Sequence, residues 1–249
     1  MNTLCRSIHA GIMIGIGGTV YLSCDNKYIG AFLFAIGLFI ILRWGSYLFT
    51  GKVGFILSNS PKYTALMIPI LIGNFIGTFL VGTVLQYTRF SPQLIEKAQT
   101  IVQAKLTDDP YSILILSFFC GMLMFIAASN FICYDKLELT GILSCFIAVM
   151  VFILCGFEHC IANMFYVTIA GQWSLQSALY IGLMILGNTL GGIFAPILKI
   201  ISGDKPKKIK VATITANTND EEQMKRFEQE LKSTIDKLNE EYQNDKEDH

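Results

Sequence analysis

Charge is what this chain has least of. Only 15% of its 249 residues are charged, against about a quarter in an average soluble domain. The deficit lies almost entirely before residue 203, and the mean hydropathy is +0.51. The chain is therefore read as a membrane-embedded unit over 1–202 and a charged tail over 203–249. Lysine plus arginine equals aspartate plus glutamate, 19 each, and this balance gives no basis for nucleic-acid binding.

Other absences narrow the chemistry. The seven cysteines are scattered, most of them in apolar runs, and no C-x-x-C or Cys/His ligand spacing occurs. Neither a disulfide framework nor a metal site is expected, and no cofactor. H-E-x-x-H and paired aspartates are missing, which removes the usual intramembrane protease chemistries. A haem anchor would need paired intramembrane histidines; of three histidines only His159 lies deep in an apolar run. Twin N-P-A motifs, the mark of an aquaporin-type channel, are also missing. The first apolar run, 8–22, ends without a small-residue cleavage motif and reads as a retained helix.

What is present is a series of apolar runs, each long enough for the roughly 20 residues that cross a bilayer. They cover about 7–23, 29–56, 64–87, 111–131, 139–170 and 174–201. Lysines and arginines set the orientation. With the N-terminus inside, Arg6, Lys52, Lys62, Lys136, Lys199 and the cluster Lys205, Lys207, Lys208 and Lys210 share one side. Lys27, Arg89, Lys97 and Lys105 share the other. Both termini are thus expected in the cytoplasm, and the protein in the cell membrane.

The second and fifth runs are too long. About 30 residues of helix reach roughly 45 Å, more than the roughly 30 Å hydrocarbon layer. Both also hold glycines and polar groups: Arg43, Gly45, Ser46, Thr50 and Gly51 in one, Gly156, Glu158, His159 and Asn163 in the other. They read as helices broken at membrane depth, where non-helical backbone survives only inside protein or along a cavity. GNFIG at 73–77 and GNTLG at 187–191 each follow a broken run. The chain therefore repeats as two units of three helices, the second inverted, with a transport site expected between the two interruptions.

The stretch 155–165, CGFEHCIANMF, concentrates the expensive groups. An ionisable residue at membrane depth is a functional-site hypothesis, and a buried structural histidine is the alternative. Asn74 and Asn188 are amides inside spans and need partners; Asn188 is a candidate to orient His159. Past residue 201 a basic juxtamembrane stretch precedes a charged helix over 220–242. Met224, Leu231, Ile235, Leu238 and Tyr242 give a coiled-coil seam with Glu228 and Thr234 as flaws; a solvated helix fits equally.

These motifs make the chain resemble the formate/nitrite transporter family over about 7–201. The resemblance rests on G-F-E-H-x-I-A-N-M-F at 156–165, L-F-T-G at 48–51, AG…IGIGG in the first run, and GNFIG and GNTLGG. It implies an all-α, six-helix, aquaporin-like protomer with broken second and fifth helices, assembled as a homopentamer with one pore per subunit. It also implies small monovalent anions of weak acids as substrates, with protons and the lipid bilayer as the other partners. Position by position, His159 matches the central pore histidine and Thr50 the loop threonine that can bond it. Glu158, Asn163 and Asn188 match the polar groups around it. Phe34, Leu38 and Phe49 fall at the cytoplasmic constriction, Phe152 and Phe157 at the outer one, and Lys105 matches a vestibule lysine. Three departures stand out: Tyr47 where an acidic residue is common, Arg43, and Gly121 where a pore asparagine is usual. They keep hydrosulfide beside formate and nitrite as a substrate. A neutral-solute channel and a membrane anchor of an oxidoreductase are the alternatives in other classes.

Overall fold

A computed structural model of the chain describes residues 3–133 and 138–203. The expected helix over 220–242, the basic cluster from Lys205 to Lys210, and Lys136 lie outside the described residues. Among those described, the chain forms ten α-helices and one 3-10 helix, with no strand. They are α1 (Thr3–Ser23), α2 (Lys27–Arg43), α3 (Phe49–Lys52), the 3-10 helix Val53–Ser58, α4 (Pro61–Ala65), α5 (Met67–Leu85), α6 (Ser91–Leu106), α7 (Pro110–Cys133), α8 (Glu138–Leu154), α9 (Cys160–Ile169) and α10 (Leu175–Ile201). The stretches Pro61–Leu85, Pro110–Ile132 and Leu175–Ile201 are long and apolar enough to cross a membrane.

Both over-long runs are interrupted, and in the same way. α2 ends where the Trp44 N–H donates to the Ile40 carbonyl and the Ser46 N–H reaches back to Ile41. Gly45 between them has φ +62°. α8 ends where Cys155 donates to Val151 and Phe157 to Phe152, around Gly156 at φ +69°. This is the Schellman arrangement, in which a left-handed glycine closes the last carbonyls of a helix. Each break then runs extended for a few residues and starts a short helix. α3 opens after Leu48, α9 after His159. Every residue of α9 is buried, so protein surrounds this helix on all sides.

The packing repeats as well. α1 lies on α5, and α7 on α10. Where the first pair crosses, a Cβ on Gly11 would overlap the carbonyl of Asn74; where the second crosses, a Cβ on Gly121 would overlap that of Asn188. Small residues let membrane helices approach this closely. Gly121 is therefore a crossing residue. An asparagine there has no room.

One helix was not legible as such. α6 joins the third and fourth apolar runs and buries Leu94, Ala98 and Val102 at helical spacing. Its polar face carries Lys97, and its last turn carries Lys105.

Candidate functional site

The two breaks meet at one hydrogen bond, 2.9 Å between Thr50 Oγ1 and His159 Nε2. Both residues are buried, at 0% and 2% exposure. His159 also caps α9: its Nδ1 accepts the Ala162 backbone N–H at 3.1 Å. That contact sets the tautomer. A backbone N–H can only donate, so Nδ1 carries the lone pair and the proton of the neutral ring sits on Nε2. Nε2–H then donates to Thr50 Oγ1, which leaves the threonine hydroxyl proton to point elsewhere. The Phe152 ring stacks on the imidazole at 5.6 Å.

Glu158, the residue before the histidine, turns the other way. Its carboxylate takes the Lys105 ammonium at 2.6 and 2.7 Å and the Asn163 amide at 2.8 Å. The pair is shielded, with side-chain exposures of 17% for Lys105 and 5% for Glu158. Asn163 also donates to the His159 carbonyl at 3.0 Å. With both amide hydrogens spent, its Oδ1 is buried without a hydrogen-bond partner among the described residues. A cavity of about 500 Å³ opens on this group, lined among others by Lys105, Phe152, Phe157, Glu158, His159 and Asn163.

The hydrogen bonds of Asn188 go to main-chain atoms and not to the imidazole. It accepts from the Cys160 N–H at 2.9 Å and donates to the carbonyls of Ser117 and Glu158 at 2.7 and 2.8 Å. It thus orients the histidine through the backbone on either side. Asn74 does the same for the first break, accepting from Phe49 N–H and donating to Ser7 and Tyr47 carbonyls, each at 2.8 Å. A further pair completes the match: Tyr47 N–H to Arg6 carbonyl, and Glu158 N–H to Leu116 carbonyl, both 3.3 Å. Buried backbone groups need partners, and in each break one amide supplies two, while its third bond ties the break to α1 or α7.

The structure gives the contacts of the aromatic and aliphatic residues expected at the two constrictions. Phe34 was expected with Leu38 and Phe49 in the cytoplasmic ring. It meets Phe152, expected in the outer ring, edge to face at 5.8 Å. Phe157 is half-buried and stacks on Phe119 at 5.6 Å, on the wall of the cavity. Leu38 and Phe49 are buried at 2% and 5% exposure.

Sequence reasoning passed over the surroundings of Tyr47. Its ring lies 5.4 Å from the Arg6 guanidinium and 5.4 Å from the Lys52 ammonium. Beside it, His9 stacks on Trp44 at 5.0 Å and shares a 2.8 Å hydrogen bond with Ser46. The signal was available: Tyr47 follows Gly45 at the same distance as Glu158 follows Gly156.

The geometry has relatives. The formate/nitrite transporter model matches residues 1–201. A Bacillus subtilis protein described as the uncharacterized transporter YrhG is 29% identical over 197 residues, covering 72% of this chain and 73% of that one. A solved pentameric formate channel with formate bound superposes with a TM-score of 0.66 at 24% identity, over 81% of this chain and 96% of that one. An ion channel of the same family gives 0.67 at 20% identity, over 82% and 88%. These last two establish the fold. With the family pattern running through the whole described membrane part, this chain belongs to the formate/nitrite transporter family.

Proposed function

We propose that the protein is a pentameric channel for small monovalent weak acids, formate, nitrite or hydrosulfide, which cross the narrowest part of each protomer in their neutral form. In this reading six spans, arranged as an inverted three-plus-three repeat, cross the cell membrane with both termini in the cytoplasm. The observation that carries it is the Thr50–His159 pair. It sets a polar donor beside an aromatic ring and at the edge of a cavity that a lysine lines.

Magnitudes decide the charge state. Taking a bare anion out of water costs several kcal/mol even after relaxation. Protonating an acid of pKa about 4 at pH 7 costs roughly 4 kcal/mol, at 1.36 kcal/mol per unit, and for an acid of pKa near 7 almost nothing. The neutral path is therefore cheaper at an apolar ring. Lys105 attracts the anion into the cavity, where water supplies the proton. At the ring, His159 Nε2–H polarises the Thr50 hydroxyl, and that hydroxyl donates to an oxygen or sulfur of the passing acid. One proton then accompanies each anion, and His159 stays neutral. The tautomer argues against His159 as the immediate proton source: an imidazolium would set Nδ1–H against the Ala162 N–H.

The test is flux into proteoliposomes of purified protein, with formate, nitrite, acetate and hydrosulfide compared across a pH series. At fixed total formate, uptake should fall about tenfold per pH unit above pH 4, as the neutral fraction does. Hydrosulfide uptake should stay nearly level below about pH 7. His159→Phe, checked for intact folding, should cut uptake by about a hundredfold or more. A pH-independent formate flux, or full flux in that variant, overturns the proposal.

A further inference from the structure

We infer that the Tyr166 hydroxyl binds the passing acid in the cavity that Lys105 lines, and that it favours oxygen acids over hydrosulfide. The inference deepens the passage of weak acids proposed above and rests on that reading.

Tyr166 lies on α9, and its position follows from helical spacing. His159, Ala162, Asn163 and Tyr166 all line the cavity of about 500 Å³. The steps of three, four and seven residues describe one face of a helix. One face of the buried α9 therefore carries the imidazole at its start and the phenol two turns later. Seven residues rise about 10.5 Å, at 1.5 Å each, so the phenol is a second polar station, separate from the Thr50–His159 pair.

A cavity of this size accepts formate or nitrite in any pose. Shape cannot place so small a solute there, and convergent polar groups must. The neighbouring polar side chains already hold protein partners. Lys27 donates to the Leu154 carbonyl, Lys105 to both Glu158 oxygens, and Asn163 to Glu158 and the His159 carbonyl. The Tyr166 hydroxyl has no hydrogen-bond partner among the described residues, although the residue is only 7% exposed. Leaving so enclosed a donor unpaired is costly, and a solute in the cavity relieves that cost. The ring is held in advance: it packs on Phe165 at 5.6 Å, on a helix buried at every residue. Little further order is then lost when the acid binds. Tyr21 lines the same cavity but is half-buried, so water competes for its hydroxyl.

The chemistry of the phenol sets the preference. It donates one hydrogen bond and can accept others. Carboxyl and nitrite oxygens take that bond well, whereas sulfur is a weak acceptor and S–H a weak donor. Tyr166 thus lowers the KM for formate, nitrite and acetate and does nothing for hydrosulfide. Charge plays no part in this choice. The Lys105 ammonium is matched by the Glu158 carboxylate, and the phenol discriminates by the kind of atom that faces it.

The test is Tyr166→Phe, which removes one oxygen and keeps the ring. In proteoliposomes of purified protein the KM for labelled formate should rise about fivefold, the worth of one ordinary hydrogen bond. The concentrations of nitrite and acetate that halve the uptake of trace formate should rise alike, and that of hydrosulfide should stay the same. A rise shared by hydrosulfide would mean an altered cavity and overturns the inference, as does an unchanged KM. Binding is read separately, from saturation transfer to the formate C–H proton with detergent-solubilised protein, where the Kd of formate should rise by the same factor. If wild type carries no formate while this binding difference holds, the transport reading fails and the Tyr166 site stands. If wild type carries formate as proposed and the variant matches it in both KM and Kd, the site fails and the transport reading stands.

Discussion

At Gly45 the chain leaves α2 through a left-handed turn, and at Gly156 it leaves α8 in the same way. One buried asparagine then bonds two backbone groups of each break and one carbonyl of a neighbouring helix, Ser7 on α1 or Ser117 on α7. Beyond that point the breaks part company. The first presents Thr50 and a tyrosine between two cations; the second presents His159 and a carboxylate locked to a lysine. Frame and function are therefore held by different atoms. The frame uses main-chain groups, glycine crossings and two amides, and it is duplicated. The chemistry uses side chains that differ at every matched position.

The largest effect should come from the crossings. Gly121→Asn forces a side chain into the Asn188 carbonyl and should destabilise by more than about 4 kcal/mol, among the severe single-residue losses. Gly11→Asn should do the same. Thermal unfolding in detergent measures both, and a tolerant Gly11 beside an intolerant Gly121 would break the equivalence of the halves. Next come the amides. Asn188→Ala leaves the Cys160 N–H and the Glu158 carbonyl unpaired, at about 1 kcal/mol or more each, so a loss of about 2 kcal/mol is expected. Asn74→Ala should match it within about 1 kcal/mol.

The ion pair should show non-additivity. Lys105→Met strands a buried carboxylate and should cost about 3 kcal/mol. Adding Glu158→Gln should recover much of that, as a double-mutant cycle on unfolding temperatures would reveal. The smallest effect concerns Lys97, whose bond to Asp25 is 3.1 Å long but whose partner side chain is 97% exposed. Lys97→Ala should leave the unfolding temperature unchanged within error, since exposed pairs contribute little.

The sequence carried the frame in outline. Excess length and internal polarity located both breaks, and the two G-N-x-x-G motifs located both amides. The bonds of those amides were out of reach, because a sequence shows that Asn188 needs partners and not that they are main-chain atoms. The pairing of Phe34 with Phe152 depends on the depth at which α2 and α8 stop, which two overlong apolar runs do not fix. α6 escaped notice because its apolar positions are few and are separated by Gln, Glu, Lys and Thr, so it forms no apolar run. The Tyr47 cluster needed the third dimension: Arg6 and Lys52 lie on separate elements, and only the break brings them to one ring.

The two asparagine braces carry one last implication. Because they grip only main-chain atoms, they exert no selection on the side chains at the matched positions. What constrains Glu158 and Asn163 is their own bonding to Lys105, to each other and to the His159 carbonyl, not the brace. A gene duplication built on such a brace starts with two identical mouths and can diversify each one separately. The same property makes each break a cassette for grafting, provided its partners, Arg6 for Tyr47 and Lys105 for Glu158, travel with it.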